Sequence, residues 1–303
     1  MKLLKELCEI RATSGDEKPV RDFLLAYIQE NSSSWKKKPE MFFGEAFQDC
    51  LILKFGEPRM ALFAHMDTVG FTVRYHNQLI AIGSPEAESG TVLVGEDELG
   101  PVEGKLIFDR DHHAFCQFSR PILPGTVLTY KVNFKSTAEQ VQSSYLDNRL
   151  GVWLALNLAR DLEDGILVFS CWEEHGGGSV PYLIKFIYEN WKINKSIIAD
   201  VTWCSEGVVP GEGVVISLRD RNIPRKSFTR KIAEIAREKK IPFQLEVEGL
   251  GSSDGRELQL SPFPIDWCFI GPPQQDAHSP KEKVHRKDIE STLLLYQNLF
   301  KIF

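Results

Sequence analysis

The chain has 303 residues, 43% of them hydrophobic and 26% charged, which excludes a disordered chain and leaves ample material for a large core. Its net charge of -6, with only one brief lysine run at residues 35–38 (WKKK), excludes a protein that tracks a phosphate backbone. No stretch is apolar and long enough to span a bilayer, the first residues lack the unbroken apolar segment of a signal peptide, and the six cysteines form no C-x-x-C pair. These features predict a cytoplasmic protein with free thiols and neither nucleic acid nor membrane as a partner.

Leu3, Leu4, Leu7 and Ile10 predict a first helix, and Ser14 with Glu17 three residues on predicts a capping box that opens a second helix running to about Glu30. Residues 49–56 (DCLILKFG) and 60–73 (MALFAHMDTVGFTV) read as strands, the second central in a sheet. From about residue 70 to 134 the texture changes to short strand-like pieces separated by Gly and Pro, the pattern of a small all-β unit inserted into another fold. Beyond it αβ alternation resumes: helices over 150–164, 180–191, 227–240 and 287–303, and strands over 166–172, 195–200 and 264–271. The fold class expected is α/β, a mixed, largely parallel sheet covered by helices, with residues 1–69 and 138–303 as the catalytic domain and 70–137 as a β-barrel-like insert.

In open α/β sheets the ligand site lies beyond the carboxyl ends of the strands. Those ends here carry His65 and Asp67, Glu173 and Glu174, and Asp200, while His278 falls a few residues past the last strand and Asp147 stands just ahead of a helix. Several carboxylates and two imidazoles gathered at one sheet edge repel one another unless metal or protons intervene, and a pair of divalent ions is the simplest reason to collect them. Three ligating carboxylates and a bridging hydroxide would balance two such ions, and the donor types suit zinc, cobalt or manganese. His65 and Asp67 point to the same face of a strand, so Asp67 is placed to hold the second imidazole nitrogen. Glu173 and Glu174 are neighbours and diverge, so one ligates metal while the other takes a proton from water, and Gly176 to Gly178 turn the chain away without filling the pocket.

Taken alone, each residue has an ordinary alternative: His65 a buried structural histidine, Asp147 a helix N-cap, and the paired glutamates a solvated charge pair. His112 and His113 in the β-rich stretch read as surface or interface residues, and His76 and His285 as surface residues.

The segments AHMDTVGF, QSSYLDNRLGV, WEEHGGG, ADVT and AHSPKEKVHRKDIEST, in this order along the chain, resemble the co-catalytic metallo-aminopeptidases of peptidase family M42, relatives of glutamyl and tetrahedral aminopeptidases. The resemblance implies that Asp147 bridges two metals, that His65 and Asp200 complete one site and Glu174 and His278 the other, that Glu173 is the general base and that Asp67 orients. Arg219, Arg221, Ser253 and Asp254 fall in stretches similar to the family's pocket-lining segments. His175 and the sequence SSDG at residues 252–255 depart from the family's usual pattern. The implied protein is a dinuclear metal-dependent aminopeptidase, two divalent ions per chain and zinc the first choice, acting on peptides with a free amino terminus and forming a homo-oligomer, a dimer or larger. The alternatives are a deacylase of N-acyl amino acids at the same site and a non-catalytic assembly or binding paralogue.

Overall fold

The computed structural model describes residues 1–303. Its central element is an eight-stranded mixed sheet ordered Glu40–Phe42, Leu51–Phe55, Gly165–Ser170, Ala61–His65, Lys195–Ala199, Asp266–Gly271, Val214–Arg219 and Phe243–Val247. The four middle strands, Gly165–Ser170 through Asp266–Gly271, run parallel to one another, and antiparallel pairings flank them on both sides. Gly165–Ser170 and Ala61–His65 are buried at every position, as expected of strands covered on both faces by helices. The α/β class is therefore as the sequence predicted.

Residues 60–73 do not form one strand. The run breaks after His65, and Gly70–Val73 joins a separate six-stranded antiparallel sheet ordered Leu79–Ile82, Gly70–Val73, Val127–Tyr130, Val92–Asp97, Gly100–Phe108 and Ala114–Gln117. An isolated bridge between Gln78 and Phe115 links the two ends of this sheet, around a small core that includes Phe71, Leu93, Leu106 and Leu128. A third, five-stranded sheet holds Glu282–His285 at its centre.

The predicted capping box is absent, because its members are engaged elsewhere. The second helix spans Lys18–Asn31 with no side-chain cap. Ser14 Oγ donates instead to Asp67 Oδ2 at 2.6 Å, and Glu17 Oε1 accepts from the Trp172 amide at 3.0 Å. The supposed local signal is a long-range tie between the amino-terminal segment and the strand ends. No helix is long and apolar enough to cross a membrane.

Strand ends that carry polar groups need close backbone packing. Gly271 closes its strand against Asp200, and a Cβ there would lie 1.5 Å from the Asp200 carbonyl oxygen. Gly271→Ala is therefore expected to destabilise the protein by about 3 kcal/mol, the upper range for overpacking against backbone. Denaturant unfolding measures this, and a loss below about 1 kcal/mol would show that the two backbones are not so close.

Candidate metal centre and cavity

Each polar residue singled out in the sequence is fixed by its own piece of backbone. His65 ends its strand and Asp67 follows two residues later. After Gly165–Ser170 the chain turns at Trp172, whose φ is 62°, so that Glu173 and Glu174 leave the sheet edge together. Their amides donate to the two oxygens of Asp67, each at 3.1 Å. Asp147 lies in the first turn of Leu146–Ala159 with non-helical dihedrals. The capping role falls instead to Asn148, whose Oδ1 accepts from the Gly151 amide at 2.9 Å while its Nδ2 donates to the Ala199 carbonyl. His278 has a φ of 59°, and its carbonyl accepts from the Tyr130 hydroxyl while its Nδ1 lies 3.1 Å from the Ser84 carbonyl.

These side chains converge. His65 Nε2 lies 3.3 Å from Asp147 Oδ1, 3.4 Å from Asp200 Oδ2 and 4.0 Å from Glu173 Oε2. His278 Nε2 lies 3.4 Å from Asp147 Oδ2 and 3.4 Å from Glu174 Oε2. The two oxygens of Asp147 thus face two different imidazoles, with Asp200 beside the first and Glu174 beside the second. Asp67 Oδ1 is 3.4 Å from His65 Nδ1 on the far side of the ring.

The electrostatics are those of a crowded acidic site. Burial and the carboxylates around them push Glu173 and Glu174 well above the usual carboxylate range. Burial would also raise Asp147, but hydrogen bonds and charge from His278 and His65 outweigh it and hold this carboxyl low. Burial works against a charged His65, yet Asp200, Asp147 and Asp67 together hold its imidazolium well above the ordinary value.

The donor set fits divalent metal. His65 Nε2 and Glu174 Oε1 are buried without a hydrogen-bond partner, a costly state for groups that would otherwise be satisfied. His65, Asp147 and Glu174 each offer one ligand atom within 4.8 Å of the others. A second such group, Asp109, Asp111 and His113, is exposed at the surface.

A cavity of about 400 Å³ opens over the cluster and is lined by Asp147, Glu173, Glu174, Asp200 and His278. Ser253 also lines it, whereas Asp254 lies beside it, accepting from Ser170 Oγ at 2.6 Å, its carboxyl pushed by burial up to about 7. Arg219 lies elsewhere: with Leu218, Leu245 and Val247 it lines a depression on the opposite face of the last two strands of the sheet. A β-bulge between Ser217 and Arg219 sets Arg219 beside the outward-facing Val247, so Asp220 rather than Arg219 reaches the cavity wall. Arg221 is exposed and is not a lining residue.

Sequence reasoning overlooked several contributors. Ser14 clamps Asp67, and Glu282, buried in its strand, accepts from the Asp147 amide at 3.2 Å. Glu282 stands four residues after His278, inside a segment already quoted, but a strand position gives no sign of a partner 135 residues away. His175 is exposed, and its Nδ1 accepts from the Gly83 amide at 3.1 Å, linking the glycine loop to the antiparallel sheet.

A mixed sheet with helices on both faces and a buried imidazole–carboxylate cluster at its carboxyl edge defines the class of zinc-exopeptidase-like proteins. Within that class the chain belongs to the M42 glutamyl aminopeptidase family, whose model matches residues 117–295. A relative from Acetivibrio thermocellus named "Putative aminopeptidase" is 24% identical over 330 residues, covering 97% of this chain and 96% of its own. Among solved structures, the aminopeptidase APDkam598 of the archaeon Desulfurococcus kamchatkensis superposes with a TM-score of 0.87 at 21% identity, over 100% of this chain and 94% of that one. The TET1 peptidase of Pyrococcus horikoshii, which can assemble into a tetrahedron or a large octahedral shell, gives 0.83 at 21% identity over 98% of both chains. The family resemblance read from the motifs is thereby established.

Proposed function

We propose that the protein is a dinuclear metal-dependent aminopeptidase that removes residues from the free amino terminus of peptides. The observation that carries this reading is Asp147, whose Oδ1 and Oδ2 lie 3.3 and 3.4 Å from the Nε2 atoms of His65 and His278. One carboxylate presenting each oxygen to a different imidazole is the arrangement a bridging ligand needs. Asp147, His65 and Asp200 would hold one divalent ion, zinc by preference, and Asp147, Glu174 and His278 the other. Bound there, such ions supply Lewis acidity toward the scissile carbonyl and make water more acidic.

The remaining work falls to side chains of the chain itself. Asp67 orients His65 through Nδ1 and, by clamping the Glu173 and Glu174 amides, fixes where both carboxylates start. Glu173, 16% exposed at the cavity floor, takes a proton at Oε2 from the attacking water and passes it to the leaving amine. The acidic surroundings hold the substrate's α-ammonium group, so peptides with a blocked amino terminus should be poor substrates. Metal content before and after chelation, with hydrolysis of unblocked and N-acetylated aminoacyl reporters, tests the reading; rapid hydrolysis of acetylated reporters alone would replace it with a deacylase.

Metal loading should depend on pH in a defined direction. In the metal-free protein burial opposes a charged His278, but Asp147 raises its pKa to about 9, and His65 is also held high. A metal must displace these protons, so affinity should fall as pH drops below about 9, by about tenfold per unit for each proton displaced. Calorimetry in buffers of different ionisation heat counts the protons released, and a pH-independent affinity with no release would rule this out.

A further inference from the structure

The cavity over the cluster is acidic well beyond what metal binding uses. Asp147, Glu174 and Asp200 would be neutralised by divalent ions, and Glu257 is neutralised by Arg256, whose Nη1 donates to its Oε1. That leaves Glu173, the proposed base, and Asp220, Glu246 and Glu248 on one wall, and none of the three wall acids is in an ion pair. Glu246 is only 3% exposed, a buried carboxylate with no cation beside it, and its hydrogen-bond partner is the hydroxyl of Thr202, two residues after Asp200. On the same cavity Glu174, with a side chain 4% exposed, carries an oxygen without any partner.

The wall is built by the strand geometry. Along Phe243–Val247 alternate residues face opposite ways, so Glu246, and Glu248 just beyond it, look into the cavity while Leu245 and Val247 look out, 45% and 64% exposed. The bulge in the neighbouring strand sends Arg219 to the outer face and brings Asp220 to the inner one. A basic side chain is thereby removed from the wall and an acid put in its place. Apolar surface from Trp203, Leu250 and Phe269 lies in the same cavity, suited to the methylene stem of a long side chain.

We infer that this cavity selects peptides whose first residue has a cationic side chain, lysine or arginine. The inference rests on the aminopeptidase reading and adds the substrate class to it. A glutamyl side chain, the one in the family's description, would meet three carboxylates of its own sign here. The α-ammonium nitrogen is bonded to the carbon next to the scissile carbonyl, so it sits at the ligand cluster beside Glu173 and leaves this wall to the side chain.

The test uses the metal-loaded protein with unblocked lysyl, arginyl, leucyl and glutamyl 4-nitroanilides, and calorimetric binding of free lysine, leucine and glutamate. Lysyl and arginyl reporters should exceed the leucyl one in kcat/KM by at least roughly tenfold, as a site built around polar partners discriminates against a ligand lacking them, with the glutamyl one lowest. Glu246→Gln, and the half-buried Glu248→Gln should the former fail to fold, should lower the ratio of lysyl to leucyl kcat/KM by roughly tenfold. Leucyl or glutamyl preference, with lysine bound no more tightly than leucine, would overturn the inference while leaving the aminopeptidase intact. If no reporter is hydrolysed the aminopeptidase reading falls, and binding decides the pocket: tighter lysine binding that is lost in Glu248→Gln upholds it, and equal binding of the three amino acids overturns it.

Discussion

Glu173→Gln is expected to lower kcat by roughly 10²- to 10⁴-fold, the usual contribution of a positioned general base, while metal content stays at the wild-type level. Glutamine keeps the length and shape of the side chain and leaves the backbone clamp from Asp67 in place. What it removes is the ability to accept a proton 4.0 Å from His65 Nε2, at the floor of the cavity. Structural damage would look different. Burial and the neighbouring acids hold the Glu173 carboxyl well above the ordinary value, so its ionised form costs stability in the metal-free protein at neutral pH. The neutral amide relieves that cost, and the metal-free variant should unfold at a temperature no lower than that of the wild type. A variant that keeps its metal and its melting temperature but retains more than about a tenth of wild-type turnover would remove Glu173 from the role of base.

Asp147→Asn should be more damaging still, and in another quantity. The carboxylate faces both imidazoles, so losing its charge weakens two sites at once. Altering a partner outside the ligand set typically costs 10- to 100-fold in affinity, and removing a shared ligand should cost more than roughly 100-fold. Elemental analysis should find at most one ion per chain, with activity lost in parallel. Asp200→Asn alters only the His65 side and should leave the His278 side able to load. Equal stoichiometry in the wild type and Asp147→Asn would mean that the two imidazoles do not share this carboxylate.

The α/β alternation was legible because its signals are local. Buried strands such as Ala61–His65 and Gly165–Ser170 are continuous apolar runs that end abruptly in acids and histidines, and the helices between them carry their own periodicity. The last two strands of the sheet, Val214–Arg219 and the edge strand Phe243–Val247, were harder to read. In FQLEV the apolar positions Leu245 and Val247 are the exposed ones and Glu246 is buried, the reverse of a strand with a solvated polar face. A pattern that runs against burial is read as loop or surface, although here it marks the wall of the cavity.

By itself the sequence determined which residues could carry the chemistry: the identities and order of His65, Asp67, Asp147, Glu173, Glu174, Asp200 and His278 were there to be read, as was a parallel sheet to gather them at one edge. Tertiary structure alone decided which groups meet. It turned Ser14 from a helix cap into a clamp on Asp67, gave the capping role in Leu146–Ala159 to Asn148 and set Glu282 behind Asp147. It also placed one bulge after Ser217, which exchanged an arginine for an aspartate on the cavity wall. The physical reason is range. Apolar periodicity acts within one strand or helix, whereas a hydrogen bond across 135 residues, or the face a side chain takes after a register shift, depends on a partner that local sequence does not name.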